Sequence, residues 1–324
     1  MKHVIKFLVA TASVFIAFTS FAQEIYPSKR INLVVPFATG NGIDQLGREY
    51  AEALRLQINQ TVVVENREGA GGIIGGTWAS RAPADGYTVM VAAHPPFAIA
   101  TLLQKEPAFD ATTSFTPVAK VGSVPLVLVT AAAMPFKTWK EMEFYFKANP
   151  DKANYAASGV GSPGQLFTQL IKLHTGLPLQ EISYKSTAQA MTDVIAGQVQ
   201  VSLVSLPAAA QHIKAGKLKL LAVGSTKRLE TYPDTPTLAE VINQPGFEAT
   251  VWYGFLMPAG TPVDRVNKFY GEIAKASVSP RIVDFMERAG FTLNMQNPQQ
   301  FAASIRSDVL MAKKMIEVAK LTPQ

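Results

Sequence analysis

The 324-residue chain contains no cysteine. That absence excludes disulfides, thiolate metal sites, thiol nucleophiles and the lipid-bearing cysteine of a bacterial lipoprotein. Histidine is scarce too, limited to His3, His94, His174 and His212. No HExxH or GxSxG pattern occurs, and no two carboxylates stand out as an acid and base pair. Charged residues make up only 17% of the chain, and the basic ones are scattered, with no stripe interleaved by aromatics of the kind that tracks nucleic acid. There is no repeat of solenoid period and no low-complexity tract.

Long apolar runs are also missing beyond the N-terminus. The longest, Val121 to Phe136, is interrupted by Pro125 and Pro135, so no membrane span is expected there. The first 22 residues differ from the rest: Lys2 and Lys6 precede an apolar run from Phe7 to Phe18, and Ser20-Phe21-Ala22 has the small-x-small pattern that signal peptidase accepts. The run falls short of the roughly 20 residues that span a bilayer. A secretory signal cleaved after Ala22 and a soluble periplasmic protein are therefore expected. The formal charge is +6, or +4 once Lys2 and Lys6 leave with the signal.

What is present is a recurring alternation: a short β-branched run, a small or polar loop, then apolar residues at helical spacing. This predicts an α/β fold. Ile31 to Phe37 is a strand, followed by a helix with Ile43, Leu46, Tyr50, Leu54 and Ile58 on one face. "TVVVEN" (61–66) and "YTVMVAA" (87–93) supply further strands. After "PLVLV", a second series reads as "NYAAS" (154–158), "EISYK" (181–185), "VQVSLV" (199–204) and "LKLLAV" (218–223), with helices between. "VWYGFLMPAGTP" is one more strand and turn, and helices such as Pro262 to Ala276 are expected to pack back on the first series. The expected division is residues 23–125 plus 250–324 as one α/β domain and 126–249 as another, the layout of a hinged clamshell.

In such sheets ligands collect beyond the carboxyl ends of strands, where helix N-termini leave N–H groups unpaired. In "PFATGNGID", Asn41 reads as helix N-cap with Asp44 as cap partner, while Gly40 and Gly42 allow close backbone approach. In "SGVGSPGQL", Ser162, Pro163 and Gln165 form a capping-box pattern, with Gly159, Gly161 and Gly164 in excess of what a cap needs. "YKSTAQ" repeats the device with Ser186 and Gln189, and "VSLPAA" does so more weakly with Ser205 ahead of Pro207. Hydroxyls and bared helix starts would together hold a small anion without an arginine clamp.

"GAGGIIGG" (69–76) fits neither nucleotide template: Thr77 stands where a P-loop needs lysine, and the glycine spacing is GxGxxxG. A structural loop is expected. His174 and His212 fall in helices as surface or half-buried residues, whereas His94 in "AAHPPF" ends a strand where it can touch a ligand. Trp252 and Tyr253 read either as core or hinge packing or as an aromatic wall of the cleft, and Tyr184 carries the same ambiguity.

Several stretches together, "YPSKRINLVVPF", "VVVENREGAGG", "ADGYTVMV", "NYAASGVGS", "YKSTAQAMTDVIAGQV", "IKAGKLKLLAV" and "PAGTP", resemble in order and spacing the Bug family of extracytoplasmic solute-binding proteins. The likeness runs through nearly the whole mature chain. It implies a type II periplasmic-binding-protein fold, two α/β domains around a hinged cleft, closing on a small organic acid for delivery to the permease subunits of a tripartite tricarboxylate transporter. It also implies that backbone groups, hydroxyls and water hold the carboxylate. Carried over by position, the first loop spans Phe37 to Asp44, and the second-domain loops span Ser158 to Gln165, Tyr184 to Thr187 and Ser205 to Pro207. With His94 added, the expected ligand-binding residues are Phe37, Ala38, Thr39, Gly40, Asn41, Asp44, His94, Ser158, Gly159, Ser162, Gln165, Tyr184, Lys185, Ser186, Thr187, Ser205 and Pro207.

Departures from the family pattern bear on the ligand. The usual Pro-Gly-Gly is Thr39-Gly40-Asn41, a frequent histidine is Gln165, a small glycine after Tyr-Lys is Ser186, and an acidic or amide pair is Val204-Ser205. These neutral replacements favour a dicarboxylate or aromatic acid over a cationic amino acid. A monomeric receptor without catalytic residues, metal, cofactor or nucleic-acid partner is the leading reading. A ligand-sensing partner of a membrane sensor kinase is the second, and an exported enzyme using His94 or Asp44 on a small organic acid the third.

Overall fold

The computed structural model describes residues 26–322 apart from 38, 41, 95, 159–161, 185 and 319. The expected signal segment with its cleavage after Ala22 lies outside the described residues, as do Ala38, Asn41, Gly159 and Lys185 of the expected site. In chain order the elements are β1 (Ile31–Val35), α1 (Gly42–Ile58), β2 (Val62–Asn66), α2 (Ile73–Ser80), β3 (Thr88–His94) and α3 (Pro96–Leu102). Then come β4 (Phe115–Ala131), α4 (Trp139–Ala148), β5 (Asn154–Ala157), α5 (Pro163–Thr175), β6 (Gln180–Ser183), α6 (Thr187–Ile195), β7 (Val201–Ser205), α7 (Leu206–Lys214) and β8 (Leu218–Val223). The chain ends with α8 (Leu238–Val241), β9 (Thr250–Pro258), α9 (Val263–Ser277), α10 (Pro280–Arg288), β10 (Thr292–Gln296) and α11 (Pro298–Val318).

The strands form one path in the order β2-β1-β3-β9-β4-β7-β5-β6, with β10 and β8 also paired to β4. Each flank is parallel, as crossover helices require: β1 with β2 and β3, and β5 with β6 and β7. The middle is antiparallel, where β9 pairs with both β3 and β4.

The 17-residue strand β4 joins the two flanks. From Phe115 to Pro125 it pairs with β9, and from Leu126 onward it pairs with β7 and β8. Proline is tolerated in it because of where it falls: Pro117 sits at a register shift, and Pro125 is the last residue before the exchange of partners. At the exchange a ring of backbone bonds closes. Leu126 N–H donates to Ala249 O (2.9 Å), Ala249 N–H to Gly224 O (2.8 Å) and Gly224 N–H to Leu126 O (2.7 Å).

The expected strands are all found within a few residues of their predicted limits. The reach of β4 across both flanks and the strand β10 were not anticipated, since prolines and polar residues interrupt the period-two pattern there. On α1, Ile43, Leu46, Tyr50 and Leu54 are buried and Ile58 is half-buried. Helix α9 packs on α1, as expected of the C-terminal helices, and the Tyr50 and Ser277 hydroxyls meet at 2.8 Å. Helix α11 does more: it lies across β4 and touches both α3 and α5. The glycine-rich loop is structural in part because the backbone passes close by. A Cβ on Gly75 would stand 2.6 Å from the Arg67 carbonyl oxygen. Among the described residues no helix is long and apolar enough to cross a membrane.

A Cβ on Gly224 would lie 2.2 Å from Ala249 O and 2.9 Å from Leu126 O, both fixed by the backbone ring. Gly224→Ala is therefore expected to cost about 2 to 3 kcal/mol, as other overpacked sites do. Gly271→Ala, on α9 with nothing within 4 Å of the added methyl, should instead be neutral or stabilising by roughly 0.5 to 1 kcal/mol. Urea unfolding of the two variants checks the contrast.

Candidate functional site

The register brings several strand ends to one place. Ser205, the last residue of β7, stands opposite Leu126, and Ala93 near the end of β3 stands opposite Tyr253. Helices α1, α5, α6 and α7 start from the loops that follow β1, β5, β6 and β7. Between them lies a cavity of about 280 Å³. It is lined by Phe37, Gly42, Ile43, Ala93, Leu126, Ser158, Pro163, Gly164, Thr187, Leu203, Val204, Ser205, Val251 and Tyr253.

Its chemistry is polar without being charged: no ionisable side chain except the Tyr253 phenol is among these lining residues. The hydroxyls of Ser158, Thr187, Ser205 and Tyr253 border the cavity and have no hydrogen-bond partner among the described residues. Ser205 is the N-cap of α7, but its side chain makes no capping bond and so remains available. By contrast, Ser162 and Ser186 are spent on their helices, accepting from Gln165 N–H (3.4 Å) and Gln189 N–H (3.3 Å). Helices α5, α6 and α7 carry no acidic residue in their first turns, so their partial positive charge is uncancelled there. Burial pushes the Tyr253 phenol up to about 12, which keeps it a neutral donor. Phe37, Ile43, Leu126, Leu203, Val204 and Val251 supply the apolar wall.

Of the expected residues, Phe37, Ser158, Thr187 and Ser205 line this cavity. Thr39 and Gly40 are exposed beside it, and Pro207 is exposed and packs near Gly290. Gln165 is buried, and its amide donates to both oxygens of Glu181 (2.8 and 3.0 Å) rather than closing a capping box. The Tyr184 hydroxyl donates to Asp193 (2.8 Å).

Asp44 acts on the loop itself. Its carboxylate accepts from Gly40 N–H (2.8 Å), Asn66 Nδ2 (2.8 Å) and Arg48 Nε (3.0 Å). Asn66 Nδ2 also donates to Phe37 O (3.0 Å), so one buried acid and one amide fix both ends of the turn. Burial works to raise the Asp44 pKa, but the bonds from Arg48, Gly40 and Asn66 outweigh it and hold the carboxyl below its ordinary value.

His94 is placed differently from expectation. It is Ala93 that faces the cavity, and because side chains alternate along a strand, His94 points to the opposite face. There it is buried and stacks on Trp252 (5.6 Å between rings, 14° between planes), whose Nε1 donates to Asp308 (2.6 Å). Trp252 is thus packing. Tyr253 takes the cleft face, which resolves that pair. Burial, followed by the charge of Lys120, pushes His94 down to about 3. Among the described residues no three His, Asp or Glu side chains come together to hold a metal ion.

The model of the tripartite tricarboxylate transporter family receptor matches residues 46–321. The chain belongs to this receptor family. Protein BugT of Bordetella pertussis is 32% identical over 307 residues, covering 93% of this chain and 94% of BugT. Among solved structures, the periplasmic binding protein BugD is 35% identical with a TM-score of 0.74, covering 92% of this chain and 100% of that one. An R. palustris protein solved with adipate is 29% identical with a TM-score of 0.76, covering 92% and 100%. The receptor is therefore a member of a family of periplasmic solute-binding proteins, and its α/β fold is theirs.

Two pH experiments follow. A carboxyl held low in the folded state contributes stability that is complete above its unfolded pKa, about 3.9, and is lost as pH falls through the folded value. Asp44→Asn should therefore flatten the loss of unfolding free energy that the receptor shows below about pH 4, read by urea titration at pH 5, 4 and 3. His94, neutral throughout, should show ring-proton NMR shifts that stay constant from pH 8 to pH 5. A titration near the ordinary histidine value of about 6.5 would show that the ring is not buried as described.

Proposed function

We propose that this receptor captures a small organic acid, a dicarboxylate or an aromatic acid, and delivers it to the permease subunits of a tripartite tricarboxylate-type transporter. The observation that carries the reading is the set of unpartnered hydroxyls, Ser158, Thr187, Ser205 and Tyr253, on an otherwise apolar and uncharged cavity wall. Hydroxyls and helix starts donate to a carboxylate, each charge-assisted bond contributing about 1.5 to 3 kcal/mol. A cationic amino acid would find no carboxylate among the described lining residues. At about 280 Å³ the cavity lies at the lower end of small-molecule sites, which suits a ligand of a few carbons or a single ring. The adipate-bound relative supports a dicarboxylate.

In this reading residues 23–125 with 250–324 form one domain and 126–249 the other, and the chain crosses between them within β4 and just ahead of β9. Differential affinity for the closed form couples capture to closure. The chain acts as a monomer, exported through a signal cleaved after Ala22, and binds its acid without transforming it. The burial of His94 and the use of Asp44 inside its own loop remove two candidates for an acid or base.

The test uses protein unfolded and refolded to strip bound ligand, then titrated calorimetrically and by thermal shift with adipate, benzoate and lysine. Adipate or benzoate should raise the melting temperature, an acid at 100 times its Kd adding about 2.7 kcal/mol. Lysine should not. Ser205→Ala and Tyr253→Phe should each weaken binding about tenfold, the equivalent of one hydrogen bond of about 1.4 kcal/mol. If no organic acid stabilises the refolded protein, the reading is wrong.

A further inference from the structure

A larger groove, about 870 Å³, lies at the other end of the first flank. It borders Asn32 and Thr88 at the starts of β1 and β3, whereas the cleft sits beyond the C-terminal ends of the same strands. Its floor is apolar and aromatic, with Ile74 (54% exposed), Trp78 and Tyr87.

Some of its polar side chains have no partner among the described residues. Arg30 and Arg81 line it, both exposed, and neither side chain has an ion pair or hydrogen bond among the described residues. The acid in the lining, Asp85, is already paired with Lys29 (3.3 Å). Thr77 Oγ1 is fully enclosed and has no hydrogen-bond partner. The Trp78 ring is held in place by the Arg67 guanidinium over it at 3.9 Å.

We propose that this groove is a second binding site, for an amphiphilic anion: one anionic head on a flat or chain-like apolar body. The two cations without acids call for a negative charge, and burying the exposed Ile74 and Trp78 surface calls for an apolar body. A bare inorganic anion would leave that surface wet, and a neutral hydrocarbon would leave both guanidinium groups without a partner. Because the groove and the cleft lie at opposite strand ends, both can be occupied at once.

The probe is 1-anilinonaphthalene-8-sulfonate, an aromatic sulfonate, titrated into the full mature chain by fluorescence with energy transfer from tryptophan. Expected is saturable one-site binding that weakens with salt, is displaced by decanoate but not by decanol, and loses most energy transfer in Trp78→Phe. The double variant Arg30→Gln/Arg81→Gln should bind at least tenfold more weakly with an unchanged melting temperature, since both side chains are exposed. Ser205→Ala, on the cleft, should bind the dye as well as the parent. Equal affinity in the double variant, insensitivity to salt, displacement by decanol, or loss of binding in Ser205→Ala would each overturn the proposal.

Discussion

The closed ring of backbone hydrogen bonds among Leu126, Gly224 and Ala249 is the constraint on which the rest depends. There β4 leaves one set of partners and takes another, and a side chain at 224 would force the three segments apart. Because β4 is continuous through this point, the parallel strands of both flanks are oriented by one shared strand. Their carboxyl ends, at Phe37, Ala93, Ser158 and Ser205, are thereby aimed at a single volume. A cleft at that position is a consequence of topology, as helix starts follow strand ends. Its particular chemistry is then left to a few loop residues.

Those residues divide the work between shaping and contact. Asp44, Asn66, Gln165, Ser162 and Ser186 spend their polar groups on the protein itself, holding loops and helix starts. Ser158, Thr187, Ser205 and Tyr253 keep theirs for the cavity. A wall of neutral donors beside uncancelled helix ends attracts an anion without a fixed ion pair. Under the function proposed above, such a site would separate acids by the shape of their apolar part, because Val204, Leu203 and Ile43 line the cavity.

Much of this was legible in the sequence because strands and helix caps announce themselves locally. The short apolar, β-branched runs of β1, β3 and β8 and the serine and proline at the starts of α5 and α7 are short-range signals, and they lie where they were expected. What escaped were long-range facts. Nothing local distinguishes a Ser whose hydroxyl caps its helix, Ser162, from one whose hydroxyl makes no cap bond and borders a cavity, Ser205. The alternation of β3 carried the placement of His94, since Ala93 and His94 must face opposite ways, but which face is the cleft depends on pairing with β9. Tyr253 was readable only as one of two choices for the same reason.

The same physics explains why two anion sites on one sheet would be built differently. Beyond the carboxyl ends of the strands, helix N-termini arrive with partial positive charge, so hydroxyls suffice and a lysine or arginine would only hold the ligand too generally. Beyond the amino ends the helices arrive by their C-termini, which carry the opposite partial charge. Arg81 caps the C-terminal end of α2 at the rim of the groove. An anion can be held there only if side chains first overcome that field. In the proposed groove site the two arginines without acids would supply the necessary charge, and the tryptophan beside them the contact that a point charge lacks. On the two proposals made above, the cleft would discriminate by shape within a ring of weak donors, and the groove by the pairing of full charges over an aromatic floor.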